Sequence, residues 1–267
     1  MTPPRLPVFY VSHGGGPWPW MPEMRSYYRE TEEGLARIGK EHAPKAVLII
    51  SAHWEERDFT VSSSPRPRMI YDYGGFPADT YQIKYEAPGL PELSKRVVDL
   101  AASSGIRVTE DPARGFDHGV FVPLFCIYPE ASVPVVQLSM KKGYSPAEHF
   151  ALGASLEPLR AEGVLILGSG VSYHDLRNFF QPSAGPVSRK FERWLTQTIE
   201  SDPDQRRENL LHWEKGSGAR EAHPREDHLV PIFALAGAAG RDPGKRIILD
   251  HTFGVDMASY RFGGGKL

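Results

Sequence analysis

Cysteine occurs once in the 267 residues, at Cys126, so the chain forms no internal disulfide and no cysteine-rich metal site. No apolar run approaches the ~20 residues that a membrane-crossing helix needs. Neither sign of charge dominates: 31 Lys and Arg stand against 33 Asp and Glu, a formal net charge of −2. That balance leaves no electrostatic footprint for nucleic acid. Met1–Pro7 holds one arginine and no apolar stretch, so it does not read as a signal peptide, and a cytoplasmic protein is expected. The phosphate-loop pattern Gly-x-x-x-x-Gly-Lys-Ser/Thr is missing, as is His-Glu-x-x-His. Gly14-Gly15-Gly16 follows an apolar run but lacks the phosphate-loop lysine and does not fit Gly-x-Gly-x-x-Gly. Ser169, between two glycines, lacks the spacing of a nucleophile elbow. Cys126 sits in an apolar helical stretch and reads as a core residue.

What is present describes an ordinary globular chain, 40% hydrophobic and 24% charged. Its length allows one or two domains. With no repeat and no dividing linker, residues 1–267 read as a single catalytic domain. Apolar runs predict strands over Pro7–Ser12, Lys45–Ala52, Val133–Met140, Gly163–Ser169 and Arg246–Thr252, the last closing the set. Phe59–Ser63 and Ile106–Thr109 are weaker candidates. Helical patterns cover Glu23–Lys40, Pro91–Ser103, Val120–Ile127, Ser145–Glu162, Pro186–Ser201 and His228–Ala239. This alternation predicts an α/β fold, an α/β/α three-layer domain around a mixed central sheet. Arg206–Arg225 is polar and glycine-bearing, read as a mobile surface excursion, and Gly263–Lys266 as a frayed tail.

Ten histidines are the richest signal. In an open α/β sheet, ligands bind beyond the carboxyl ends of the strands. His13 and His53 each follow a predicted strand directly, and His174 lies just past Gly168-Ser169-Gly170. Three histidines from three strand ends can converge on one rim. Neutral imidazole is the commonest protein ligand for a transition metal. A histidine-rich set suits Zn(II) or Fe(II) rather than Mg(II) or Ca(II). His118, in Gly115-Phe116-Asp117-His118-Gly119, and His228, opening the last predicted helix, have suggestive contexts too. Asp227 reads as a helix cap. His42, His149, His212 and His251 read as surface or packing residues.

These motifs together resemble the class III (LigB-type) extradiol aromatic ring-cleavage dioxygenases, in the DOPA 4,5-dioxygenase-like subgroup. The resemblance spans nearly the whole chain. It rests on Ser12-His13-Gly14, Ser51-Ala52-His53-Trp54, Gly74-Gly75-Phe76-Pro77, Tyr85-Glu86-Ala87-Pro88-Gly89, Gly115-Phe116-Asp117-His118-Gly119, Val136-Gln137-Leu138-Ser139, Gly168-Ser169-Gly170 with His174, and His223-Pro224 with His228-Leu229. It implies His13, His53 and His228 as metal ligands. It implies His174 as the catalytic acid/base, close enough to the metal to serve as a fourth ligand, and His118 as a second catalytic histidine. The chain departs from the family at Gly14-Gly15-Gly16-Pro17 and at Val171 and Asp175. These changes leave the metal set intact and bear on the substrate.

The activity implied is opening of a catechol-type ring with O2. Fe(II) is the cofactor for that chemistry; Zn(II) can fill the same site but has no redox chemistry. The expected partners are a small catechol and O2, with no nucleic acid and no membrane; a homo-oligomer is compatible with this. Two rivals stay open, a zinc hydrolase on the same scaffold and a non-catalytic metal- or ligand-binding homologue. Trp18, Trp20, Phe76, Tyr81, Tyr85 and Asp117 lie in or beside motif loops and are the candidate substrate contacts, since aromatic walls suit a planar ring. Pro17 and Pro19 stiffen the backbone around Trp18 and Trp20, which suits a fixed lid.

Overall fold

The computed structural model describes residues 5–264. One mixed sheet holds β1 (Val8–Ser12), β2 (Ala46–Glu56), β3 (Phe59–Ser62), β4 (Val108–Asp111), β5 (Val135–Lys141), β6 (Val164–Gly170), β7 (Gly244–Thr252) and β8 (Val255–Phe262), in the order β4-β3-β5-β2-β6-β1-β8-β7. The central pairs β5–β2, β2–β6 and β6–β1 are parallel; β8 runs antiparallel between β1 and β7. The helices are α1 (Pro22–Arg25), α2 (Arg29–Glu41), α3 (Pro91–Ser103), α4 (His118–Ile127), α5 (Pro146–Ser155), α6 (Ala184–Glu200), α7 (Pro203–Leu211), α8 (Ala219–Ala222) and α9 (Pro231–Ala239).

Side chains alternate across a strand, and here each face meets its own core. Val8, Tyr10, Leu48, Ile50 and Ile166 pack on one side with Leu93, Leu152, Phe191 and Ile232 from α3, α5, α6 and α9. Phe9, Val11, Val47, Ile49 and Leu167 pack on the other with Leu35, Ile38, Val120 and Leu124 from α2 and α4. Helices on both faces make the α/β/α layering predicted from the alternation.

Several expected boundaries move. β2 runs on to Glu56 through a bulge between Ile50 and Glu55, and His53 lies inside it. A bulge re-aims the side chains it carries. The sheet does not close at Thr252, because β8 follows. Glu23–Lys40 breaks into α1, a 3-10 turn at Ser26–Tyr28, and α2. The last helix begins at Pro231, so His228 sits in the turn before it. Arg206–Arg225 is not a mobile excursion. It contains α8 and most of α7, and Arg206, Leu210, Trp213 and Ala222 are buried. Arg206 donates to the carbonyls of Gly240 and Asp242 at 3.2 and 2.9 Å, which tethers this segment to the end of α9. Of the expected frayed tail, the Gly263 amide bonds to the Pro243 carbonyl at 2.9 Å, and residues 265–266 lie outside the described residues, as do residues 1–4 of the leader reading. Among the described residues no helix is long and apolar enough to cross a membrane.

Candidate metal centre

The carboxyl end of β1 delivers His13, whose amide donates to the Gly170 carbonyl at 3.0 Å and whose own carbonyl accepts from Trp18 Nε1 at 2.8 Å. His13 Nδ1 lies 3.0 Å from Ser169 Oγ. The Ser169 hydroxyl gives its one proton to the Gly119 carbonyl, so its oxygen accepts from Nδ1–H. His13 Nε2 therefore carries a free lone pair. His53 Nδ1 faces Asp72 Oδ2 at 3.2 Å, and His228 Nδ1 faces Asp227 Oδ1 at 3.0 Å. Those carboxylates fix the same tautomer in both rings. Tyr10 Oη donates to the His228 carbonyl at 2.7 Å, and a Cβ at Gly170 would stand 2.0 Å from that same oxygen. Only glycine there lets the chain at His228 approach β6.

The three Nε2 atoms are thus turned on one another. His53 Nε2 is 3.2 Å from Nε2 of both His13 and His228. In the neutral rings, with each Nδ1 carrying the proton, three Nε2 lone pairs face a common point. The ligand atoms of His13, His53 and His228 all lie within 4.8 Å of one another. A neutral, all-nitrogen donor set at this spacing fits one divalent transition-metal ion.

The charges agree. Burial, then the neighbouring histidines, holds His13 well below the ordinary histidine pKa. Burial and the nearby His174 and His53 do the same for His228, against the opposing hydrogen bond to Asp227. At His53 burial also lowers the pKa, but Asp72, Asp117 and Asp227 outweigh it and the net direction is up. Those carboxylates favour positive charge at the middle of the cluster. Burial alone would raise Asp72 and Asp227, yet hydrogen bonds from their histidines pull both far below the usual carboxylate range.

Each of these carboxylates serves two histidines. Asp72 Oδ1 accepts from His118 Nδ1 at 2.8 Å while Oδ2 faces His53. Asp227 Oδ1 lies 3.2 Å from His174 Nδ1 and 3.0 Å from His228 Nδ1. The flanking rings lie against the cluster, His118 on His53 with centroids 4.0 Å apart and His174 on His228 at 3.4 Å. Both line the cleft. His174, expected as a fourth ligand, groups with Asp227 and His228 and stands outside the three-histidine cluster.

The cleft above has a volume of about 380 Å³. Of the candidate substrate contacts, Phe76 lines it. The others are corrected. Trp18 is fully buried, stacked on Tyr28 at 4.7 Å, and braces His13 from behind. Trp20 packs on Phe125 at 4.4 Å, so neither tryptophan is a lid. Tyr81 packs against Tyr73, and the buried Tyr85 bonds the carbonyls of Leu124 and Tyr128 at 3.2 and 3.0 Å. Asp117 is fully buried and spent on Ser51 Oγ (2.7 Å), Gln137 Nε2 (2.5 Å) and Arg114, so no substrate reaches it. The wall comes instead from Tyr28, Tyr73, Phe179, Phe180 and Phe253, which sequence reasoning passed over. The departures Gly14-Gly15-Gly16 and Val171 do line the cleft; Asp175 is buried and holds Asn178 Nδ2 at 2.6 Å.

Residues 7–261 match the family described as the catalytic LigB subunit of aromatic ring-opening dioxygenase. The chain is 38% identical over 261 residues to a 4,5-DOPA dioxygenase extradiol of Beta vulgaris, covering 96% of each chain. It is 36% identical to the dioxygenase tasH of Hapsidospora irregularis, over 98% of this chain and 86% of that one. A crystal structure of an uncharacterized protein from Escherichia coli K12 superposes with a TM-score of 0.79 at 27% identity, covering 97% of this chain and 100% of that one.

Proposed function

The chain belongs to the LigB family of aromatic ring-opening dioxygenases and is an extradiol dioxygenase, and we propose that it opens a catechol next to its paired hydroxyls, using one Fe(II) held by His13, His53 and His228. The observation that carries this reading is the convergence of three Nε2 lone pairs whose Nδ1 partners are all taken. Held by these three histidines, Fe(II) would supply the redox chemistry toward O2 that Zn(II) lacks.

The rest is the work of side chains. His13, His53 and His228 offer neutral nitrogens from the floor and leave the cleft side open to substrate. His174, its Nδ1 tied to the ionised Asp227, takes a proton at Nε2 from the second catechol hydroxyl and returns it later in the cycle. His118, tied in the same way to Asp72, holds a substrate oxygen through its own Nε2. The aromatic walls keep water from the opened ring. Both atoms of O2 end in the product, a ring-opened semialdehyde.

Residues 1–267 act as one catalytic domain in this reading, at work on aromatic compounds in the cytoplasm. The test is anaerobic loading with Fe(II) or Zn(II), addition of a catechol, and admission of air. Fe(II) protein is expected to consume O2 and give a yellow ring-cleavage product, while Zn(II) protein does neither. Ester or amide hydrolysis by the Zn(II) form, with no oxygen uptake by the Fe(II) form, would overturn it.

A further inference from the structure

Three large apolar side chains are exposed among the described residues, Tyr27, Leu176 and Phe180, at 49%, 67% and 78%. All three gather at the mouth of the cleft. Leu176 and Phe180 line it, and Tyr27 stacks on Phe253, which also lines it, with centroids 4.2 Å apart. Phe180 faces Phe179 at 5.1 Å and Phe253 at 5.8 Å. An apolar patch continuous with a ligand cleft marks a surface that binding covers. No lysine or arginine is among the residues lining the cleft. Its one lining carboxylate, Asp72, is already matched to His53 and His118. The volume of about 380 Å³ exceeds what a bare catechol ring fills.

We propose that the site takes a catechol whose ring carries a neutral, apolar substituent, seated against Leu176, Phe179, Phe180 and Phe253. The proposal rests on the catechol reading above and narrows it to a substrate class. Within the cleft lining a carboxylate or ammonium on the substituent would meet aromatic carbon and no free counter-charge, and desolvating a charge without a partner is costly; Arg189 lies only on the adjoining groove, past Phe179, Phe180 and Phe253. Methylene groups would instead bury the rim. Leu176, Phe179 and Phe180 belong to the same loop as His174, so the segment that holds the proton-transferring ring also holds the substituent.

Calorimetric titration of the Zn(II)-loaded protein, kept anaerobic, reads the pocket apart from the reaction. The ligands are catechol, 4-methylcatechol, 4-propylcatechol, 3,4-dihydroxyphenylalanine, 3,4-dihydroxyphenylacetate and dopamine. Affinity is expected to rise about fourfold per added methylene in the alkyl series, with the three charged catechols weaker than 4-propylcatechol. Leu176→Ser and Phe180→Ser should each flatten that rise. Equal or tighter binding of a charged catechol would overturn the proposal; for the acids, exposed Arg177 in the same loop would be the residue to suspect. A flat alkyl series overturns it too, as does self-association that Phe180→Ser abolishes, since a second copy would then cover the rim. Tight binding of 4-propylcatechol without oxygen uptake by the Fe(II) form would leave this inference standing and remove the proposed reaction.

Discussion

His13 is 1% exposed and tied through its amide, its carbonyl and its ring, whereas Phe180 at the cleft mouth is 78% exposed in a loop without regular structure. The same contrast holds across the site. The floor is set by strand ends, a bulge and two ionised carboxylates; the rim is set by apolar side chains that touch mainly one another. Geometry needed for metal binding sits where reorganisation is most costly. Selection among substrates sits where the chain varies at little cost to the fold. Substitutions in the floor should therefore act on metal and rate, and substitutions behind or at the rim on stability or choice of substrate.

The largest effect is expected from His13→Ala. It removes one of the three converging nitrogens, and metal analysis after dialysis should find the stoichiometric metal gone and turnover at the level of metal-free protein. Retention of one metal per chain would break the contrast at once. His174→Ala comes next. Standing outside the cluster, it should keep its metal while kcat falls on the order of 10²–10⁴, the usual worth of a positioned acid/base. Asp72→Asn keeps the shape of the carboxylate but not its charge. Chelator competition should show metal affinity down by about 10–100-fold, the range typical of a group that orients a ligand. Trp20→Ala is the smallest. It packs behind the floor on Phe125, so the ratio of kcat/KM between a small and a bulky catechol should stay as it was. A changed ratio would restore Trp20 to the pocket wall.

The sequence showed the floor better than the rim, for physical reasons. β1, β2 and β6 are apolar runs with sharp boundaries, and strand ends point to ligands, so His13 and His53 stood out. His228 follows no strand; its place at the opening of a predicted helix drew notice, and only the family resemblance made it a ligand. Asp72 gave no local signal at all. It reaches the site because a bridge between Met69 and Phe116 lays its segment beside the start of α4, where the His118 amide donates to it at 2.9 Å. β8 was hidden by Asp256, Ser259 and Arg261, polar residues in a strand that is buried throughout. Ser259 Oγ accepts from the Ser12 amide at 3.0 Å and Asp256 Oδ1 lies 2.9 Å from His251 Nδ1, contacts that no periodicity predicts. α7 did carry a signal, Asp202 capping with Pro203 at the first position, but its charged face masked it. For the rim, the pair Phe179-Phe180 in a polar loop five residues past His174 was the cue available.

The claim on which the rest depends is that three histidines, and not four, hold the metal. X-ray absorption at the iron edge of the Fe(II)-loaded protein, compared with His174→Ala, tests it directly. Three imidazole nitrogens at roughly 2.0–2.3 Å, unchanged in number by the substitution, are the expected result. Four imidazoles falling to three in His174→Ala would make His174 a ligand and contradict the division of roles drawn from Asp72 and Asp227.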